Sequence, residues 1–167
     1  EWNPDIVFSY YPAEGGHPAN MTAGYIVRDA AVDLKMKTMP VFLYIRDFYT
    51  CNFSYIPDLA VSIDSVWETK LAACAAQKSQ VTEAIPHQLG ILEEVRNDKE
   101  KQRQLIYDNT YPFSKVTPDN LYALQKWYGA KAAATVKYAE SFEIAEFGRQ
   151  VNEEELKRLV PMIDNPH

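Results

Sequence analysis

Short apolar segments alternate with a helix-forming segment in the first 63 residues of the chain. Residues 5–10 form an apolar run of strand length, and Asn20 can cap a helix over about residues 21–32. Val41–Ile45 and residues 59–63 are further runs of strand length. Parallel strands need a crossover of a dozen residues or more, and the predicted helix fits the first connection. The pattern predicts an α/β fold with a mainly parallel sheet flanked by helices.

The predicted sheet is thin for a domain of this class. Three clear strands are fewer than a doubly wound sheet usually has. The chain length is nevertheless enough for a packed core, and we predict that residues 1–167 form one domain. The first strand is also predicted to be buried on both faces, as strands inside a parallel sheet are. We therefore expect N-terminal strands to be missing from this sequence and to be supplied by a part of the protein ahead of Glu1.

The charge balance excludes one class of partner. The chain has 17 Lys and Arg residues against 23 Asp and Glu residues, which gives a net charge of −6. A protein that binds the nucleic-acid backbone needs clustered cations, so we expect no nucleic-acid partner.

The sequence has no apolar run of membrane-spanning length, and we expect no membrane span. Two cysteines are too few for a disulfide framework or a thiolate zinc site. Cysteine usage therefore does not indicate the cellular compartment. The sequence does not fix the oligomeric state either.

The loop after the first predicted strand, residues 10–20, is the candidate for chemistry. In open α/β sheets ligands bind beyond the carboxyl ends of the strands. This loop holds Glu14, His17 and Asn20, together with two glycines, just ahead of a predicted helix. An imidazole in such a place can polarise a carbonyl group or transfer a proton. From spacing alone, however, a loop histidine is more often structural, and His87 and His167 are weaker candidates still.

The same loop carries a family resemblance. Gly16-His17-Pro18-Ala19-Asn20, followed by Ala23-Gly24, resembles the Gly-His-Pro-Asp-His motif and small-residue step of the zinc-dependent PIG-L/LmbE N-deacetylases. This family includes the N-acetylglucosaminyl-phosphatidylinositol de-N-acetylases. The resemblance touches further blocks between residue 4 and about residue 147, among them Pro4–Phe8, Pro40–Tyr44, Leu59–Asp64 and Tyr138–Phe142. It implies a Rossmann-like LmbE fold, of which this chain would be the C-terminal part.

The resemblance also implies a reaction. Members of the family use one Zn²⁺ ion to activate water and polarise the amide carbonyl of an N-acetyl sugar conjugate, usually one of N-acetylglucosamine. An early His-Pro-Asp-Asp motif supplies two zinc ligands and the acid/base aspartate. The later motif supplies an oxyanion-stabilising histidine and the third ligand. Here His17 matches the oxyanion-stabilising histidine, and Asn20 stands at the position of the third ligand.

The chain departs from the family pattern at the metal. It contains no His-Pro-Asp-Asp motif, and Ala19 replaces the family aspartate. An amide oxygen binds zinc less readily than an imidazole does, so zinc binding at Asn20 is in doubt. Three interpretations remain: a deacetylase whose other site residues lie upstream, a catalytically inactive sugar-binding or interaction module, or a structural domain in which the His-Pro loop is a tight turn. For the isolated chain we expect no activity.

Overall fold

The computed structural model describes residues 3–12, 16–34, 38–47 and 56–164. Its strands are β1 (Ile6–Tyr10), β2 (Val41–Ile45), β3 (Leu59–Ser62) and β4 (Ala139–Gly148). Its helices are α1 (Pro18–Asp33), α2 (Trp67–Ala75), α3 (Ile85–Gln88), α4 (Leu92–Val95), α5 (Lys99–Ser114), α6 (Pro118–Ala133) and α7 (Glu153–Leu159). Single 3-10 turns cover Asp64–Val66 and Pro161–Ile163, and a π-helical segment covers Ser79–Ala84. Glu14 and His167 lie outside the described residues.

In the described part of the chain, four strands form one open sheet with the order β1-β2-β4-β3. β1 and β2 are parallel, in register from Ile6 opposite Val41 to Tyr10 opposite Ile45. β4 is antiparallel to both β2 and β3 and lies between them. The α/β class with flanking helices is therefore confirmed, but the prediction of a mainly parallel sheet is wrong. The sheet is mixed, because β4 enters between the second and third predicted strands and runs against both.

β1 is less buried than its sequence suggested. Among the described strands it pairs with β2 alone, so it is an edge of the sheet. Phe8 is 56% exposed, although its ring contacts that of Phe142 with centroids 5.2 Å apart. The expectation of a strand buried on both faces is therefore wrong for β1. β2, which has neighbours on both sides, fits that description, since four of its five residues are buried.

α1 packs against the first two strands and β4. Ala31 of this helix forms a buried cluster with Phe42, Tyr44 and Ala145, and Val27 is among the residues that pack on it. Gly24, also on α1, is buried, and a Cβ atom at this position would lie only 2.8 Å from the carbonyl oxygen of Tyr10. The absence of a side chain at Gly24 thus allows the helix to lie directly against the end of β1.

α6 covers β3. Its Ala123 and Leu124 are buried in a cluster with Ala60 of β3 and Ala139 of β4. Thr117 is the N-cap and Pro118 the first residue of the helix, a position that suits proline because it lacks an N–H and has a φ pre-set for the helix. The side chain of Asn120 closes the start of the helix by accepting a hydrogen bond of 2.7 Å from the N–H of Thr117. Gly129, at φ 77°, then kinks α6.

The chain divides into two compact units. The first unit contains Glu1–Ser62 and Val116–His167, with the sheet, α1, α6 and α7. The second unit, Ile63–Lys115, is helical, and its α5 begins at Asp98, whose carboxylate accepts the N–H groups of Glu100 and Lys101 at 3.0 Å each. No helix of the described ranges is long and apolar enough to cross a membrane. The assignment of residues 1–167 to one domain stays a prediction.

Candidate functional site

His17 lies immediately before α1. It is the N-cap residue: its Nδ1 atom accepts a hydrogen bond of 3.3 Å from the N–H of Ala19, and Pro18 takes the first helical position. Asn20 was predicted to cap this helix, and that prediction is wrong, because the helix starts three residues earlier than expected. In a neutral imidazole whose Nδ1 accepts a hydrogen bond, the proton is on Nε2. His17 is exposed, and this geometry makes its Nε2–H group a hydrogen-bond donor.

Asp47 joins the His-Pro motif to the end of β2. It follows β2 by two residues, and its side chain is buried, at 4% exposure. Its Oδ2 atom accepts a hydrogen bond of 2.9 Å from the backbone N–H of His17 and one of 3.1 Å from the Nδ2 of Asn20. A carboxylate only accepts hydrogen bonds, so the amide of Asn20 must turn its NH₂ group towards it. His17, Asn20 and Asp47 therefore form one polar cluster at the carboxyl ends of β1 and β2.

Asp47 was not among the site residues expected from the sequence. One local signal was present, since a polar side chain that follows a buried strand lies at the edge of the sheet where ligands bind. That signal does not reveal which residues such a side chain contacts. The other predicted histidine that the structure describes, His87, lies on α3 and belongs to the second unit. The structure thus joins His17 and Asn20 with a carboxylate 30 and 27 residues further along the chain.

The residues of this cluster do not by themselves fit a zinc ion. Zinc takes imidazole, thiolate and carboxylate ligands, usually three or four of them from the protein. Among the described residues no group of three or more His, Cys, Asp and Glu side chains is arranged to hold a metal ion. Asn20, the position at which the resemblance implies a zinc ligand, directs an NH₂ group at Asp47, and an NH₂ group has no lone pair to offer zinc.

Two tyrosines lie where β1 and β2 end. The backbone N–H of Tyr11 donates to the carbonyl of Ile45 at 3.1 Å, and the ring of Tyr11 meets that of Tyr44 edge-on, with centroids 5.2 Å apart. Burial raises the pKa of the Tyr44 hydroxyl, and the nearby charge of Glu146 raises it further. Burial also raises the pKa of Tyr11. Both hydroxyl groups consequently remain protonated well above neutral pH.

Glu143 is a further carboxyl group at this end of β2 that the sequence analysis missed. It lies on β4 opposite Tyr44, one position before the end of β2. Burial raises its pKa to about 7, with smaller contributions from the negative charges of Asp58 and Glu146. The carboxylate of Asp58 is held in place, since its Oδ2 accepts a hydrogen bond of 2.7 Å from the N–H of Ile144. No local pattern distinguishes Glu143 from the other acids of β4.

We expect Glu143 to make the free energy of unfolding depend on pH. Its pKa is about 7 in the folded state against an ordinary 4.5, so the folded protein binds the proton more tightly than the unfolded chain. The resulting stabilisation is complete below about pH 4.5 and is lost as the pH rises through 7. Glu143→Gln should therefore flatten the decline in stability over this range. Because the Glu143 carboxyl is only half buried, we expect the free energy of unfolding to fall over this range by only about 1 to 2 kcal/mol more in the wild-type protein than in Glu143→Gln.

Urea unfolding at several pH values between about 4 and 8 measures this effect. Glu154→Gln is a matched control, because Glu154 is an exposed carboxylate on α7. An equal slope of unfolding free energy against pH in the wild-type protein and Glu143→Gln would contradict the prediction.

Comparisons with known proteins do not assign this chain to a family. No family model matches it, and neither a curated protein nor a solved structure does. The resemblance to the PIG-L/LmbE deacetylases therefore depends on the sequence blocks given above.

Proposed function

We propose that this chain supplies the oxyanion-stabilising histidine of a PIG-L/LmbE-like N-deacetylase that acts on an N-acetyl sugar conjugate of the N-acetylglucosamine type. The observation that supports this role most directly is the hydrogen bond from the N–H of Ala19 to the Nδ1 of His17. It places the proton of the neutral ring on Nε2, and an N–H group is the kind of donor that a developing oxyanion requires.

In this reaction His17 acts as a hydrogen-bond donor throughout. A general base, which this chain does not supply, takes a proton from water as the water oxygen adds to the amide carbon. The carbonyl oxygen becomes an oxyanion, and the Nε2–H group of His17 donates to it. The same base then gives the proton to the sugar nitrogen, the C–N bond breaks, and the products are the amine and acetate. The hydrogen bond strengthens as charge collects on the oxygen, so it lowers the barrier more than it favours substrate binding.

The remaining parts of such a reaction are not encoded in these 167 residues. The sequence contains no His-Pro-Asp-Asp motif, which in the family supplies the general base and two metal ligands. Deacetylation is accordingly proposed for a protein in which that motif accompanies this chain. Reading the coding sequence ahead of Glu1 is the cheapest test: a His-Pro-Asp-Asp motif there supports the enzyme, and a complete reading frame without one contradicts it.

One observation favours a second candidate function, that of a non-catalytic sugar-binding module. The NH₂ group of Asn20 and the N–H group of His17 both donate to Asp47. These two hydrogen bonds already compensate the burial of the Asp47 carboxylate. The cluster therefore needs a metal cation less than a site in which several ligands point their lone pairs at one position. Such a module would bind the acetamido group through the Nε2–H of His17 without cleaving it. Binding of methyl N-acetyl-β-glucosaminide in preference to methyl β-glucosaminide is expected for both candidates.

We predict that the 167-residue chain, expressed alone, binds no stoichiometric zinc and releases no acetate from an N-acetylglucosamine conjugate. The physical reason is the ligand set, because an amide replaces the third ligand and the early motif is absent. Elemental analysis of the purified chain and an acetate assay measure the two quantities. About one equivalent of tightly held zinc would overturn the prediction. Failure to bind either glycoside would instead favour a structural role for the His-Pro loop.

A further inference from the structure

We infer that Asp47 is a positioning residue that orients His17 towards its ligand, an inference that rests on the proposed function. Asp47 is nearly inaccessible to solvent, and its Oδ2 atom receives two hydrogen bonds from the first turn of α1. One of these comes from the backbone of His17 itself. The residue that carries the proposed donor is therefore attached to β2 through a buried carboxylate.

α1 is held against the sheet at two places. Gly24 brings the second turn of the helix into contact with the end of β1, where a Cβ atom would meet the Tyr10 carbonyl at 2.8 Å. Asp47 holds the first turn, through His17 and Asn20. Loss of Asp47 would leave the contact at Gly24 and release the first turn alone. The ring of His17 should then sample several orientations, while most of the helix stays in place.

The charge of Asp47 also suits its position. α1 has 16 residues, and its first turn contains no acidic residue of its own. A carboxylate beside the N-terminal N–H groups of a helix stabilises it through the helix dipole. Asp47 therefore supplies from β2 the negative charge that helices more often carry within their own first turn.

The inference is tested by measuring which ring nitrogen of His17 carries the proton. Nitrogen-15 spectra of the His17 ring in the 167-residue chain, at about pH 8, distinguish a proton on Nε2 from one on Nδ1. We expect one dominant form, with the proton on Nε2, in the wild-type chain and a mixture of both forms in Asp47→Ala. Asp47→Asn should keep the wild-type spectrum, because one amide oxygen can accept both hydrogen bonds. The affinity for methyl N-acetyl-β-glucosaminide should fall about fivefold in Asp47→Ala, the usual effect of one poorly directed hydrogen bond.

A matched control separates positioning from general loss of stability. Asn120 is a buried polar residue of the same unit that closes the first turn of α6. Asn120→Ala should destabilise the protein to a similar extent and leave the His17 spectrum unchanged. If Asp47→Ala does not fold, Asp47→Ser replaces it, since a serine hydroxyl is too short to reach both donors.

The outcomes separate the two proposals. A His17 spectrum that is identical in the wild-type chain and in folded Asp47→Ala or Asp47→Ser overturns the role of Asp47, whatever the chain binds. A wild-type chain that does not bind the glycoside overturns the proposed function, and the ring spectrum still decides whether Asp47 positions His17. A spectrum of Asp47→Asn that resembles that of Asp47→Ala would overturn the assignment of this role to the two hydrogen bonds.

Discussion

Replacing His17 by alanine in the product of the whole gene should slow acetate release from an N-acetylglucosamine conjugate by about 100- to 1,000-fold, the usual loss when an oxyanion donor is removed. The reason is geometric, since the Nδ1 of His17 accepts a hydrogen bond from the Ala19 N–H, which places the ring proton on Nε2, where it can donate to the oxyanion. His87→Ala is the matched control, because His87 is an exposed histidine on α3 in the other unit. Its rate should equal that of the wild-type protein.

Zinc titration of the same variants separates a catalytic position from a ligand position. His17→Ala should leave the zinc affinity of the whole gene product nearly unchanged, because His17 is assigned to the oxyanion and not to the metal. Asn20→His should raise that affinity, because a neutral imidazole is a better zinc ligand than an amide. If Asn20→His leaves zinc affinity unchanged while His17→Ala abolishes zinc binding, His17 is a zinc ligand and Asn20 does not occupy a ligand position, which contradicts both assignments.

Replacing Gly148 by alanine should lower the free energy of unfolding by about 3 kcal/mol. Gly148 ends β4 with φ 80°, a conformation that costs an L-residue about 1 to 2 kcal/mol. Its new Cβ atom would also lie 2.5 Å from a ring carbon of Phe42 and 2.9 Å from the carbonyl oxygen of Pro40. The ring has little freedom to move away, since Phe42 is buried and packs on Phe147 with centroids 4.9 Å apart.

Gly129→Ala isolates the conformational part of this cost. Gly129 has φ 77°, close to that of Gly148, but no atom lies within 4 Å of the position its Cβ would take. Its ψ of 158° places it in a backbone region that is nearly exclusive to glycine, so we expect this variant to lose about 1 to 3 kcal/mol. Denaturant unfolding of both variants gives the comparison. Equal losses would mean that the contacts of Gly148 with Phe42 and Pro40 relax at no cost.

Elements with a strong local pattern were predictable from the sequence. Residues 5–10 and Val41–Ile45 were expected to be strands, and β1 and β2 agree with this within one residue. α6 begins at Pro118, directly after the N-cap Thr117. These segments are specified by apolar runs and by a proline that fits the first helical turn, and both are local properties. The start of α1 carried the same proline signal at Pro18, which outweighs the capping preference of Asn20.

The order of the strands was not predictable in this way. β4 is not a clear alternation of apolar and polar residues, and its position between β2 and β3 depends on contacts across the whole chain. Asp47 illustrates the same limit within the site. Its position after a buried strand was visible, but its contacts with His17 and Asn20 span 30 and 27 residues. Burial of a single carboxylate against a helix start is a tertiary property, which no short window of sequence contains.

The central position of β4 affects the order in which the parts of the protein fold during its synthesis. β3 pairs with β4 among the described strands, so it has no partner while the ribosome translates the long stretch from Ser62 to Ala139. Ile63–Lys115 is continuous in sequence and emerges during that interval. Domains generally fold as units while synthesis proceeds, and contacts between distant residues form late. We therefore expect this helical unit to assemble on the nascent chain first. The sheet, and with it the final position of β3, should follow only after Gly148 has left the exit tunnel.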